Sequence, residues 1–124
     1  MSAAISVTLP LPPTTNRAYR VVNNRAVKSR EARDYETTVS HELQRQGVLT
    51  GLHYESTDAL RLELRIGLFL KFDRDVDSCK VLQDCLAWAF QFNDKQILRL
   101  VIDKQRDKAN PRAEVTLRVM GEGL

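Results

Sequence analysis

Phe72-Asp73-Arg74-Asp75-Val76-Asp77 crowds three carboxylates into one short stretch of chain. Two full negative charges about 4 Å apart repel by roughly 4 kcal/mol at an effective dielectric near 20. A hard divalent cation such as Mg²⁺, which prefers carboxylate oxygens, removes that penalty. Asp75 and Asp77 lie two apart and share a face if the strand before them continues. Asp94 comes just after the following helix, where the chain can return to the strand end it left. The three carboxylates would then meet at one edge of a sheet. Acidic residues decorating a surface turn are the plainer alternative. Lys80 and Asp84 are four apart, and Asp77 precedes Lys80 by three, so all three can share one helix face. That spacing suits either a surface ion pair or a cation set beside the metal, where phosphate charge develops.

Other chemistries fit poorly. The haloacid dehalogenase pattern, Asp-x-Asp-x-Thr/Val, fails because the closing position is Asp77 after Asp73 and Asp75, and Cys79 after Asp75 and Asp77. An EF-hand loop starting at Asp73 would need glycine at its sixth position, where Ser78 stands, and a helix before it rather than a strand. Cys79 and Cys85, six apart on one helix, point to different sides and read as reduced apolar residues. His41 and His53 match no ligand spacing and read as structural. Trp88 reads as packing rather than as a base-stacking platform.

The elements that must carry these residues follow from periodicity. Ile5, Val7 and Leu9 alternate with polar residues as a half-buried strand, ended by Pro10, Pro12 and Pro13. Residues 14–28 read as an extended or hairpin-like loop turning at Asn23 and Asn24. Ser29 is the expected N-cap of a helix to about Gln46, stopped by Gly47, with Ala32, Tyr35, Val39 and Leu43 as its apolar stripe. Leu60, Leu62, Leu64, Ile66, Leu68, Leu70 and Phe72 form one face of the clearest strand, and Arg61, Glu63, Arg65 and Lys71 the other. A helix from about Asp77 to Phe90 follows, with Leu82, Cys85, Leu86 and Ala89 toward the core. Leu98, Leu100 and Ile102, then Val115, Leu117 and Val119 after the Asn110-Pro111 turn, make the last strands. The expected order is β-α-β-α-β-β: a small α/β domain with a mixed sheet and two main helices.

With 124 residues, 43% hydrophobic and 28% charged, the chain reads as one domain spanning 1–124 that carries a core without disulfides. No apolar run is long enough to cross a membrane, and the N-terminus lacks the features of a secretory signal, so a cytoplasmic protein is expected. The net charge of +3 matters less than its distribution. No acid precedes Glu31, whereas Arg17, Arg20, Arg25, Lys28 and Arg30 all fall in or next to the hairpin-like loop. Lys104, Arg106, Lys108 and Arg112 form a second basic cluster. Segregated positive charge suits a polyanion such as nucleic acid, or is simply a solvated surface.

Taken in order, these segments resemble the RusA family of Holliday junction resolvases, small homodimeric Mg²⁺-dependent nucleases of bacteria and their phages. Thr8-Leu-Pro-Leu-Pro-Pro-Thr-Thr-Asn-Arg17 with Tyr19-Arg20 is similar to the family's opening strand, proline pair and Asn-Arg segment. Arg74-Asp-Val-Asp77 is similar to its Arg-Asp-x-Asp at a strand end. Lys80-Val-Leu-Gln-Asp84 resembles its lysine-bearing helix, Asn93-Asp-Lys-Gln-Ile97 its Asp-Asp-x-Gln-Val/Ile, and Pro111 to Leu117 its final strand. The resemblance covers nearly the whole chain. It implies Asp75, Asp77 and Asp94 as metal ligands for Mg²⁺, with Mn²⁺ as a substitute, and Lys80 as the catalytic lysine. It also implies a homodimer acting on four-way DNA in recombination and repair inside a bacterial host cell. Arg17, Arg20, Arg25, Lys28 and Arg74 would contact DNA. The family usually sets the lysine four residues beyond the second aspartate, with Asn after that aspartate; here Lys80 is three beyond Asp77 and Ser78 replaces Asn. A branched-DNA-binding protein without catalysis, and a metal-dependent phosphatase or nuclease of other substrates, are the competing expectations.

Overall fold

Residues 4–52, 59–76 and 79–122 are described by a computed structural model of the chain. In chain order the elements are β1 (Ala4–Leu9), α1 (Thr15–Ala18), β2 (Tyr19–Val22), β3 (Arg25–Lys28) and α2 (Arg30–Arg45). Then come β4 (Leu60–Leu70), α3 (Lys80–Phe90), β5 (Ile97–Arg106) and β6 (Arg112–Glu122). Four strands form a mixed sheet in the order β1-β6-β4-β5; β4 and β5 run parallel, and the other pairings are antiparallel.

Register turns the alternating pattern into a core. Ile5, Leu117 and Leu64 lie in one row across three strands, Val7, Val115 and Ile66 in the next, and Leu9, Ala113 and Leu68 in a third. All nine are buried. Onto them pack Ala32, Tyr35, Val39 and Leu43 of α2, the stripe expected from the sequence, and Val81, Leu82, Leu86 and Phe90 of α3. Each fully buried leucine or valine contributes about 1.5–3 kcal/mol relative to exposure.

Local chemistry sets the element ends. The Ser29 hydroxyl accepts from the Ala32 N–H at 3.1 Å and caps α2, and Gly47 turns the chain out at φ +69°. Asn23 and Asn24 sit at φ 52° and 62°, the paired left-handed geometry of a two-residue hairpin turn, which makes β2 and β3 an antiparallel hairpin. This hairpin and α1 expand the expected order to β-α-β-β-α-β-α-β-β.

Several expectations are corrected. β4 ends at Leu70, whose carbonyl accepts from the Asp107 N–H at 2.9 Å. Phe72 lies beyond the ladder and is 72% exposed, not on the core face. The described part of α3 begins at Lys80, not near Asp77, and its core face uses Val81 and Phe90, while Cys85 and Ala89 are only half-buried. Trp88 is 79% exposed and so does not pack inside. On β5, Leu98 and Leu100 are partly exposed because that strand is a sheet edge. Glu63, on the strand face opposite the leucines as expected, is itself buried. His53, Asp77 and Ser78 lie outside the described residues.

Candidate active site

The acidic loop after β4 is fastened from two sides. Lys104 Nζ, on β5, donates to Asp73 Oδ1 at 2.8 Å and to the Arg74 carbonyl at 3.0 Å. The hydrogen bond from Lys104, reinforced by its charge, holds the Asp73 carboxyl below the usual carboxylate range. Arg74 Nη1 donates to the Pro12 carbonyl at 2.9 Å, tying the loop to the proline turn after β1. Arg74 Nε and Nη2 are closed off from solvent with no hydrogen-bond acceptor among the described residues. Arg74 is therefore turned into the protein. Asp75, next in the chain, is exposed.

Lys80 is the first residue of α3, reached through Cys79, which is buried in the left-handed conformation at φ 50°. A cation here opposes the positive end of the helix dipole, a cost of about 0.3–1 kcal/mol. Two carboxylates offset it. Lys80 Nζ stands 3.2 Å from Asp84 Oδ1 and 3.5 Å from Asp94 Oδ2. The Asp84 hydrogen bond, then the Asp84 charge and the smaller effect of Asp94, raise the Lys80 pKa above its ordinary value. The ammonium is thus firmly charged and still about half exposed.

Asp94 opens a single 3₁₀ turn, Asp94–Gln96, whose frame is a reciprocal cap. Asn93 Oδ1 accepts from the Lys95 N–H at 3.0 Å, and Gln96 Oε1 accepts from the Asn93 N–H at 2.8 Å. Gln96 is buried, so this pair fixes where Asp94 projects. Sequence reasoning missed both positioning residues, although Asn-x-x-Gln carries the signature of a capping box.

The sheet corrects one detail, the strand end to which the chain was expected to return before Asp94. Because β4 and β5 are parallel, with Leu62 opposite Ile97, the chain re-enters the sheet at the end where β4 begins. Asp94 precedes that end; Asp75 lies in the chain between the end of β4 at Leu70 and Lys80, whose ammonium stands 3.5 Å from Asp94. A helix joining parallel strands returns the chain to the start of the first, not to its finish. What the structure does bring together is Lys80, Asp84 and Asp94. Among the described residues no group of three His, Cys, Asp or Glu side chains could hold a metal ion, and Asp77 is not among them. The donor chemistry nonetheless suits a hard divalent cation: Asp75 and Asp94 offer exposed carboxylate oxygens.

Four of the five expected DNA-contacting residues cluster on α1 and the hairpin, Arg74 being the exception. Arg17 lies 3.4 Å from Glu31 and Lys28 lies 2.9 Å from Glu36, while Arg20 and Arg25 are exposed. The Tyr19 hydroxyl, its pKa raised first by burial, also feels the charges of Asp84, Lys28 and Lys80, which sets the hairpin base beside the start of α3. An open groove of about 430 Å³, lined by Lys28, Glu36, Asp84, Cys85 and Trp88 among others, runs along this junction. In the second basic cluster, Lys104 is bound to Asp73, and Arg112 to Asp107 and Glu114.

Comparison with curated proteins of assigned function gives no match. The family model of endodeoxyribonuclease RusA, however, matches residues 10–118, from the proline turn through most of β6. Holliday junction resolution is the activity of that family in general. The ordered motifs, the mixed sheet and this match over most of the chain agree: the protein belongs to the RusA endodeoxyribonuclease family.

Proposed function

We propose that this chain, folded as one domain over its 124 residues, resolves four-way DNA junctions by Mg²⁺-dependent phosphodiester hydrolysis, working as a homodimer in the cytoplasm. The observation that carries this reading is the Lys80 ammonium held 3.5 Å from Asp94. Asp75, Asp77 and Asp94 are the residues that would hold the ion, and Mn²⁺ would serve in its place. When bound, the ion supplies Lewis-acid chemistry at the scissile phosphate.

The protein's own residues do the rest. The water oxygen bonds to phosphorus and gives up a proton, the bond to the 3′ oxygen breaks, that oxygen takes up a proton and leaves as a hydroxyl, and negative charge builds on the phosphate meanwhile. Lys80, charged and anchored, would neutralise that charge. Arg17, Arg20, Arg25 and Lys28 hold backbone phosphates and position the junction without reading sequence. Arg74 reaches DNA only by leaving Pro12; its resting role is to fix the loop that ends in Asp75. A C₂ dimer presents two such sites to a junction that itself has approximate two-fold symmetry, so the nicks are paired.

The decisive experiment incubates the purified protein with a labelled four-way junction and with linear duplex, with and without Mg²⁺. Paired symmetric nicks in the junction alone, dependent on Mg²⁺, are expected. Junction binding with no cutting would make the chain a branched-DNA-binding protein instead, and equal cutting of linear duplex would remove the structural selectivity.

A further inference from the structure

The face of the sheet away from the helices carries a cluster that the cutting chemistry does not use. Glu63 on β4 is only 3% exposed. Its direct cross-strand neighbours are Arg99 on β5 and Arg118 on β6, and Arg65 stands two residues along β4. Oε1 accepts from Arg65 Nε at 3.0 Å and lies 3.3 Å from Arg118 Nη2, and Oε2 accepts from Arg99 Nη1 at 3.1 Å. One carboxylate faces three guanidinium groups, so the cluster keeps a surplus of two positive charges. Arg61 adds another cation on the same face of β4.

A buried carboxylate needs a partner, but one arginine would neutralise it. The other two exceed that need. A carboxylate also has fewer acceptor sites than three guanidinium groups have donors. Each of the three arginine side chains remains about half exposed, so donors are left facing outward on a rigid, strand-borne frame. Glu63 thus gathers arginines whose remaining valence suits an anion. Planar guanidinium forks match phosphate oxygens.

We propose that this arginine cluster is a second DNA-backbone contact, binding the phosphates of a duplex arm of the junction. The proposal rests on the DNA-cutting reading above. Arg99 follows Asp94 by only five residues, so the patch shares with Asp94 the end of the sheet where β4 begins. A duplex passing that end can touch both. A second copy of the chain is a poorer occupant, because an isologous contact would set two positive patches face to face.

The test is the triple variant Arg65→Gln, Arg99→Gln, Arg118→Gln, with binding to a labelled four-way junction measured across a salt series. Affinity is expected to fall about tenfold or more near 0.1 M salt, and the slope of log affinity against log salt to shallow by about 0.9 for each phosphate no longer held. Unchanged affinity and slope would overturn the proposal. Glu63→Gln, which keeps the arginines, should bind DNA at least as well as the native chain. If it loses binding to the same extent, the effect is one of folding and the proposal falls. Should the triple variant not fold, Arg99→Gln alone on the edge strand should shallow the slope by about the amount due to a single phosphate, and no change there overturns the idea. Sedimentation in parallel would reveal dissociation of a dimer with unaltered DNA affinity, which would assign the face to a second copy. Native protein that cuts junctions beside a variant that binds them normally removes only this arginine patch from the footprint; native protein that binds no DNA removes the proposed function as well.

Discussion

Lys80 Nζ lies 3.5 Å from Asp94 Oδ2, although the two are fourteen positions apart, with the rest of α3 between them in the chain. The turn at Gln91, left-handed at φ 57°, sends the chain away from α3, and the Asn93–Gln96 cap then fixes Asp94. Asp84 holds the same ammonium from within the helix at 3.2 Å. A cation so constrained contributes to a transition state with little reorganisation.

Lys80→Ala should therefore lower turnover on a four-way junction by roughly 10²–10³-fold, the usual loss when one charge-stabilising donor is removed. Junction affinity should change by less than about threefold, since a single phosphate contact carries little of the binding. Single-turnover cleavage and equilibrium binding measured on the same substrate separate the two. A variant that binds weakly but, once saturated, cuts at the native rate would make Lys80 a positional residue only.

Neighbouring aspartates should behave differently. Asp73 is engaged by Lys104, whereas Asp75 is exposed and reserved in our reading for the ion. Asp75→Asn should abolish cutting in Mg²⁺ while junction binding persists. Asp73→Asn should keep most of the turnover, because it weakens only a solvent-screened fastening of the loop on the surface. Gel assays of both variants on one junction decide the matter: retained cutting by Asp75→Asn would remove it from the ligand set.

On the hairpin side, the arginines are not equivalent. Arg17 shares its charge with Glu31 at 3.4 Å, and Arg20 is exposed with no carboxylate partner of its own among the described ion pairs. Arg20→Gln should accordingly shallow the salt dependence of junction binding by about 0.9, and Arg17→Gln by less. Equal effects would mean that Glu31 releases Arg17 on binding, and no effect from either would take the hairpin out of the footprint.

Much of this arrangement was legible in the residues. The strands and α2 declared themselves because period-two and period-3.6 patterns translate directly into buried faces, and Ser29, Asn23 and Asn24 have side chains or backbone preferences that act locally. The failures share a different cause: they depend on what lies across space. The direction in which β5 pairs with β4 decides where Asp94 enters the sheet, and no local pattern encodes it. Phe72 continued the alternation of β4 but had no partner strand beside it. Trp88 and Leu98 are apolar residues that the helices and sheet leave uncovered, and composition cannot say which apolar residues those will be. Glu63 was set on the face opposite the leucines, and only the register with Arg99 and Arg118 explains how it can be buried there. The resemblance to a family supplied the functional hypothesis where spacing alone left a surface turn as the plainer reading.

Acid should reveal that same carboxylate. The hydrogen bond from Arg65, followed by that from Arg118 and the charges of both, pulls the Glu63 pKa down to about 2. In the unfolded chain the group returns to about 4.3. Its contribution to stability is then fully present above the unfolded value and is lost as pH falls through the interval toward 2, where the native state at last takes up the proton. Urea unfolding midpoints measured between pH 7 and pH 2 should decline steeply below about pH 4.5 for the native chain. Glu63→Gln should start lower at neutral pH, since Gln cannot pair with three guanidinium groups as a charge, but its curve should be flatter across that acid window. Parallel curves for the two proteins would mean that Glu63 is not held ionised, and the account of three arginines gathered around one buried charge would have to be abandoned.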